Sequence, residues 1–230
     1  MRINLYADGP TLKQLNDLDN EKIKGYTFNP SLFSKLGAKD YVGFSKEILN
    51  KCGEKPVSLE VISDDEKGMI YQAEVLNSLG KNVYVKIPIC FTSGKSTKPV
   101  IDNLIKKNIK LNITAIFLIN QIEEIIELVK DTETILSVFI GRIYDAGIDG
   151  YQIMSEINKF VHNNSKCKTL WASTRMAYDI VKAEKSNTDI ITVSVENIKK
   201  MEKFGYNLNQ FSVDTVKQFY NDAKSSGFNI

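Results

Sequence analysis

The feature that most restricts what this chain can fold into is its rhythm. Short β-branched or apolar runs at residues 3–8, 25–29, 57–62, 83–88, 111–116, 135–141, 169–173 and 189–193 alternate with longer stretches. Several of those stretches have helical spacing, at 65–79, 99–107, 120–129, 151–160 and 175–185. A strand followed by a helix, repeated along the chain, implies parallel strands joined by right-handed crossovers. Eight such units in 230 residues predict a closed (β/α)8 barrel, an α/β fold of the TIM-barrel type, with residues 1–230 forming one domain. The alternative is an open doubly wound sheet, which usually carries a glycine-rich phosphate loop after an early strand. No such loop is present, and Gly94-Lys95-Ser96 lacks the upstream glycine spacing of a P-loop. One further amphipathic pattern at 213–223 exceeds what a barrel needs. It predicts a C-terminal helix within 212–226, packed on the barrel or at a subunit interface.

Composition narrows the class. With 43% hydrophobic and 25% charged residues the chain can build a sizeable core. No run approaches the roughly 18 apolar residues of a membrane span, and MRINLYADGP lacks the regions of a signal peptide, so a soluble, cytoplasmic protein is expected. Thirty basic against 28 acidic residues, spread along the chain, imply no attraction to nucleic acid. Cys52, Cys90 and Cys167 are far apart, form no CxxC pair and have only His162 as an imidazole partner, so free thiols are expected and neither a metal site nor a cofactor. Arginine is scarce: Arg2, Arg142 and Arg175 stand against 27 lysines, which makes each fork-shaped guanidinium worth following.

Side chains alternate across a strand, so parity sorts each strand into two faces. Ile3, Leu5 and Ala7 oppose Asn4, Tyr6 and Asp8; Val57, Leu59 and Val61 oppose Ser58, Glu60 and Ile62. Val83, Val85 and Ile87 oppose Asn82, Tyr84 and Lys86, while Leu111, Ile113 and Ala115 oppose Asn112 and Thr114; Ser137 and Phe139 oppose Val138 and Ile140. Because helices intervene, the apolar parity must meet them and the polar parity must point into the barrel. Burying Lys86, Glu60 and Asp8 there would cost several kcal/mol unless they pair or neutralise. A cluster at the ends of different strands is where barrel active sites form. A lysine among carboxylates suggests imine chemistry, in which the amine must be neutral to attack a ketone. A buried ion pair of Lys86 with Asp8 or Glu60 is the structural alternative.

Seven stretches in order give the chain a resemblance over nearly its whole length. They are Asp8, Thr27-Phe28-Asn29-Pro30-Ser31, Glu60, Val85-Lys86-Ile87-Pro88, Asn112-Ile113-Thr114-Ala115-Ile116-Phe117, Ser137-Val138-Phe139-Ile140-Gly141-Arg142-Ile143 and Ala172-Ser173-Thr174-Arg175. Together they resemble the short transaldolases, the subfamily that also contains fructose-6-phosphate aldolase. The resemblance implies that Lys86 forms an imine with a ketose, that Asp8 is the acid/base at the sugar hydroxyl, and that Glu60 and Thr114 hold the water that shuttles protons. It further implies that Asn29, Asn112 and Ser137 bind the dihydroxyacetone part, beside Phe139, and that Arg142, Ser173 and Arg175 bind the phosphate of a sugar-phosphate substrate. Members of this subfamily form homo-oligomeric rings, often decamers, through the C-terminal helix, and the pentose phosphate pathway is the implied setting. The chain departs from the family pattern at Phe28, Cys90, Leu118 and Val138, of which Phe28 and Leu118 bear on pocket shape. Three readings follow from this set. The first is transfer of the three-carbon unit to an aldose phosphate; the second is an aldolase that releases it. The third is a silent sugar-phosphate-binding barrel. By resemblance the aldolase branch has glutamine and tyrosine at the positions of Glu60 and Phe139, so this chain carries the transaldolase pair.

Overall fold

The computed structural model describes residues 2–18 and 21–228. Eight parallel strands close on themselves in sequence order: β1 (Asn4–Asp8), β2 (Ile23–Thr27), β3 (Val57–Glu60), β4 (Val83–Pro88), β5 (Leu111–Ile116), β6 (Ile135–Val138), β7 (Lys168–Trp171) and β8 (Ile190–Ser194). The fold is the expected (β/α)8 barrel. Register decides what meets at its rim: Asp8 lies opposite Thr27 on one side and Ser194 on the other, Glu60 opposite Lys86, and Lys86 opposite Asn112.

The alternation read from the sequence becomes two cores. Outward residues such as Val57, Leu59, Val85, Ile87, Leu111 and Ile113 are buried against helix residues including Ile48, Leu76, Leu104, Val129 and Ile157. Leu104, on the helix Lys98–Lys106, and Ile157, on Gly150–Asn164, are fully covered, which is the packing an amphipathic stripe exists to make. The lumen is less polar than parity alone suggests. Tyr6, Ile135, Leu170, Ala172 and Ile190 form a second, smaller cluster with Tyr84 and Phe139 packed against it. A barrel interior is packed with side chains in layers, so strands β6 to β8 supply apolar residues that plug it. A side chain at Gly25 would strike the Tyr6 ring at 2.5 Å, so that glycine makes room for the plug.

Element boundaries differ from the sequence-based expectation where side chains take over backbone roles. The helix expected at 175–185 starts at Asp179, because the Asp179 carboxylate accepts from the amides of Arg175 and Met176 at 2.7 and 3.1 Å and closes a loop. The pattern at 120–129 is two short helices, Ile119–Glu123 and Ile126–Val129. Strand β6 stops at Val138, and Ile140–Asp145 is helical. The helix Pro30–Lys35, not anticipated, has the signature of one: Asn29 caps it by accepting from the amide of Leu32, and Pro30 opens its first turn. The C-terminal helix is longer than expected, Leu208–Ser225, and buries none of its residues against the barrel. Phe211, Val213, Val216, Phe219 and Tyr220 are all exposed on it.

One close approach shapes the rim between β6 and β7. A Cβ built on Gly141 would stand 1.6 Å from the carbonyl oxygen of Ser173, a backbone atom that cannot swing away. Gly141→Ala should therefore destabilise the fold by about 1–3 kcal/mol, the usual penalty for forcing atoms into a packed site. Urea unfolding checks this, and an unchanged midpoint would contradict the packing of helix Ile140–Asp145 on the Ser173 loop.

Candidate active site

The C-terminal ends of the strands surround a cavity of about 330 Å³. It receives ten of the eleven residues expected at the site: Asp8, Asn29, Lys86, Asn112, Thr114 and Ser137 with Phe139, Arg142, Ser173 and Arg175. Glu60 lies just behind the wall, lining an adjoining apolar hollow with Tyr41, Ile62 and Tyr71, but its carboxylate reaches through to Lys86. A larger and more open depression of about 600 Å³ lies elsewhere, beside Arg2, Asn4, Glu184 and Asp189. It contains none of these groups.

Lys86 is 6% exposed. Its Nζ sits 3.0 Å from Glu60 Oε2 and donates to the Phe28 carbonyl oxygen at 3.2 Å, so a buried amine has one charged and one neutral acceptor. Glu60 is held in turn by Tyr41, whose hydroxyl donates to its carbonyl at 2.8 Å and accepts from its amide at 3.1 Å. Tyr41 carries no signal for this in the sequence, because it comes from the helix Tyr41–Cys52. Thr114 Oγ1 is buried without a hydrogen-bond partner among the described residues. A buried, unsatisfied hydroxyl beside a cavity costs about 1–3 kcal/mol and marks a place where a ligand atom or water belongs. The backbone beside it is unusual: Ala115 has φ 59°, and the pairing of β5 with β6 shifts between Ile113 and Ile116. Such an irregularity re-aims neighbouring side chains.

Asn112 and Ser137 meet as expected, and Ser58 joins them. The Asn112 amide donates to Ser58 Oγ at 3.0 Å and its oxygen accepts from Ser137 Oγ at 2.6 Å, all three buried. This fixes which way the amide points and leaves its second N–H available. The two arginines behave differently. Arg142 lies over the Phe139 ring at 5.7 Å and has no carboxylate at ion-pair distance among the described residues. Arg175 donates to Ser173 Oγ at 3.0 Å and turns its fork onto Asp145, with Nε 3.0 Å from Oδ1 and Nη2 on Oδ2. That contact holds the Asp145 carboxyl below its usual range. Thr27, Lys35, Thr174, Thr192 and Ser194 also line the cavity; sequence reasoning assigned none of them a role, although Thr27 and Thr174 stand in the motif stretches. Lys35 is a third cation at the mouth. Among the described residues no cluster of His, Cys, Asp and Glu is placed to hold a metal ion. The three cysteines are free, and burial pushes Cys52 up to about 12 and Cys167 up to about 11, so neither is a ready thiolate.

A buried lysine beside a carboxylate, a second carboxylate on the same polar cavity and cations at the mouth gather at the strand ends, where the active sites of barrels form. The chain belongs to the family described as Transaldolase/Fructose-6-phosphate aldolase, which matches residues 5–230. It is 34% identical over 206 residues to a protein of Thermoplasma volcanium named probable transaldolase, covering 87% of this chain and 88% of that one. A protein of Clostridioides difficile with the same name is 35% identical over 193 residues, 84% of each chain. Among solved structures it is similar to a dihydrodipicolinate synthase (TM-score 0.60, 9% identity, 85% of this chain and 71% of that one). It is also similar to N-acetylneuraminate lyase from Mycoplasma synoviae (TM-score 0.55, 12% identity, 98% and 83%). At those identities the likeness is one of fold. No described helix is long and apolar enough to cross a membrane.

Asp8 has the most revealing electrostatics. Burial is the largest influence and raises its pKa above the ordinary 3.8; the Thr27 hydrogen bond and then Lys86 pull it down, and Glu60 raises it again. The net effect is a rise, so the folded state binds this proton more tightly than the unfolded chain. The ionised carboxyl therefore opposes folding above its folded pKa, and the penalty disappears as pH falls through that value and below 3.8. Asp8→Asn should unfold at a higher urea concentration than wild type at neutral pH, with the difference vanishing in acid. A neutral-pH midpoint equal to or below that of wild type would refute the assignment.

Proposed function

We propose that the protein is a class I transaldolase, transferring a dihydroxyacetone unit from a ketose phosphate to an aldose phosphate through an imine at Lys86. The observation that supports this most is the Lys86–Glu60 contact of 3.0 Å at a cavity that Asp8 shares. Glu60 accepts the proton that leaves Lys86 Nζ, directly or through a water held with the unsatisfied Thr114 hydroxyl, and the neutral amine attacks the ketone. The carbinolamine loses water to give the imine. Asp8 takes the proton of the hydroxyl on carbon 4, the bond between carbons 3 and 4 breaks, the aldose leaves and the electron pair remains as an enamine on Lys86. The enamine attacks the acceptor aldehyde, Asp8 returns the proton to the new alkoxide, and hydrolysis frees the product ketose.

In this reading Asn29, Asn112 and Ser137 hold the dihydroxyacetone hydroxyls, with the Phe139 ring as the apolar wall. Arg142 and the Ser173–Arg175 loop bind the phosphate. Arg142 is the better placed of the two arginines, since Arg175 must share its fork with Asp145. Asn29 must likewise share its oxygen with the Leu32 amide, which leaves its amide nitrogen for the sugar. Free cysteines fit a reducing compartment, so we place the reaction in cytoplasmic carbohydrate metabolism, the pentose phosphate pathway being the implied setting. No cofactor or metal enters these steps.

The aldolase reading differs at two positions. Phe139 stacks near Phe117, with centroids 6.0 Å apart, and a phenyl ring can neither donate a proton nor position water as a tyrosine would. The enamine should then survive long enough for an acceptor to capture it. Borohydride with fructose 6-phosphate should add a sugar fragment to Lys86 alone, as read by peptide mapping, and Lys86→Ala should abolish turnover. Cleavage should require an acceptor such as erythrose 4-phosphate, and Phe139→Tyr should raise acceptor-independent release. Free dihydroxyacetone appearing as fast as transfer in the wild type would favour the aldolase; binding without any trapped adduct would favour the silent barrel.

We take residues 1–230 as one barrel domain whose C-terminal helix belongs to an assembly. Val216, Phe219 and Tyr220 are each more than half exposed on Leu208–Ser225. Apolar side chains left in such a row mark a contact surface, here for a second copy of the chain in a homo-oligomeric ring, by resemblance often a decamer. Truncation after Phe211 should lower the mass measured by light scattering; a full-length protein already monomeric would refute the assembly.

A further inference from the structure

Neither Thr27 nor Thr192 is given a role by the family resemblance, yet both lie against the acid/base carboxylate. They are 3% and 5% exposed. Thr27 arrives on β2 because the register sets it opposite Asp8, and Thr192 arrives on β8, opposite Tyr6. Thr27 Oγ1 stands 2.7 Å from Asp8 Oδ1 and 2.5 Å from Thr192 Oγ1. A hydroxyl has a single proton, and an ionised carboxylate only accepts. The Thr27 proton therefore lies toward Asp8, and Thr192 must donate to Thr27. The chain runs one way: Thr192 to Thr27 to Asp8 Oδ1. Ser194, directly opposite Asp8 on β8, makes no hydrogen bond to it; its oxygen accepts from the Asn197 amide at 3.4 Å and caps the helix Val195–Lys200. Among the described residues none donates to Asp8 Oδ2.

We propose that Thr27, oriented by Thr192, is a positioning residue that holds Asp8 Oδ1 as a fixed acceptor and reserves Oδ2 for proton exchange with the substrate. This rests on the transaldolase reading only for which substrate proton is exchanged. The one-sided anchor matters because a carboxyl free to rotate would present either oxygen, and proton transfer needs the reacting oxygen at hydrogen-bond distance. The charged groups around Asp8 are Lys86 from β4 and Glu60 from β3, with Lys35, Arg142 and Arg175 lining the same cavity; β8 brings no titratable group to it. Of the influences that hold the Asp8 carboxylate in its charged form, the Thr27 hydrogen bond is the largest, ahead of Lys86. Removing the hydroxyl should destabilise the charged form, raise the pKa and move any step that needs the carboxylate to higher pH.

The test uses Thr27→Val, which keeps the shape of the side chain, with Thr27→Ala as a second deletion should the valine not fold. The acid limb of the kcat/KM profile for acceptor-dependent cleavage of fructose 6-phosphate should rise by about one pH unit, the size expected for losing one hydrogen bond to a charged group. Thr27→Ser should restore the wild-type profile. Thr192→Val should move it less, because Thr27 can still donate to Asp8. A ¹³C NMR titration of the Asp8 carboxyl in the same proteins, without substrate, should show the same order of shifts. Borohydride trapping at Lys86 should persist in all of them, since Asp8 acts after the imine forms. If Lys86 traps normally and both the limb and the carboxyl titration stay in place in Thr27→Val, the positioning role is wrong and the transaldolase reading stands. If Thr192→Val shifts them as far as Thr27→Val, the direction of the chain is wrong. Absence of trapping in the wild type would instead overturn the transaldolase reading, and the carboxyl titration would still decide the role of Thr27.

Discussion

Closure of the barrel is the constraint on which the rest depends. Joining β1 to β8 removes both sheet edges and gives every strand an inside and an outside. The outside is met by helices and can be aliphatic throughout, as Val85, Ile87, Leu111 and Ile113 are. The inside is too narrow for water to fill, so it must be packed. Tyr6, Ile135, Leu170 and Ile190 do this, aided by the space at Gly25. Polar inward residues such as Lys86, Asn112, Ser137 and Thr192 line the cavity beyond that plug, and a lysine placed there has no bulk solvent to relax into. Lys86 meets the Glu60 carboxylate and the Phe28 carbonyl instead. A pair of that kind is a poor source of stability, because desolvating both ions offsets their attraction. Stability therefore does not account for the pair, whereas the imine chemistry proposed for Lys86 would.

Backbone irregularity reaches the same rim, although Asn108 and Asn187 carry positive φ away from it. Ala115 and Ser173 adopt positive φ, at 59° and 63°, a conformation that residues with a side chain rarely take. One adjoins the unsatisfied Thr114 hydroxyl, the other supplies the oxygen that accepts from Arg175. Gly141 allows the helix after β6 to touch the Ser173 backbone. Charge is layered over this frame, with Asp8 and Glu60 deep and Lys35, Arg142 and Arg175 toward the mouth. The Arg175–Asp145 pair is largely exposed and adds little to stability, but it sets the direction of one guanidinium, while Arg142 acts on the same carboxylate only from beyond ion-pair distance.

Much of this was legible in the chain itself. Strand–helix alternation implied a parallel barrel, and period-two patterning placed Asp8, Lys86, Asn112, Thr114 and Ser137 on the inner face, because side-chain direction in a strand is a local property. Where that local logic was displaced by side-chain hydrogen bonds, the reading failed: Asp179 turns back onto the amides of Arg175 and Met176, so the helix begins four residues late. The apolar lower lumen was also missed. Ile135 shares the inward parity of Ser137, but nothing in an aliphatic strand residue says that it will pack with Leu170 and Ile190 across the lumen; closure decides that.

By itself, then, the sequence determined the fold class, the inner face and the identity of the lysine and two carboxylates, since alternation, parity and residue type are all carried by neighbours along the chain. The tertiary structure alone decided the partnerships. Thr27 and Thr192 are 165 residues apart, Asn112 and Ser58 54 apart, and Arg175 and Asp145 30 apart. Their contacts depend on the strand register around the closed barrel and on loops that follow different strands, and no local pattern in the chain records how the eighth strand will meet the first.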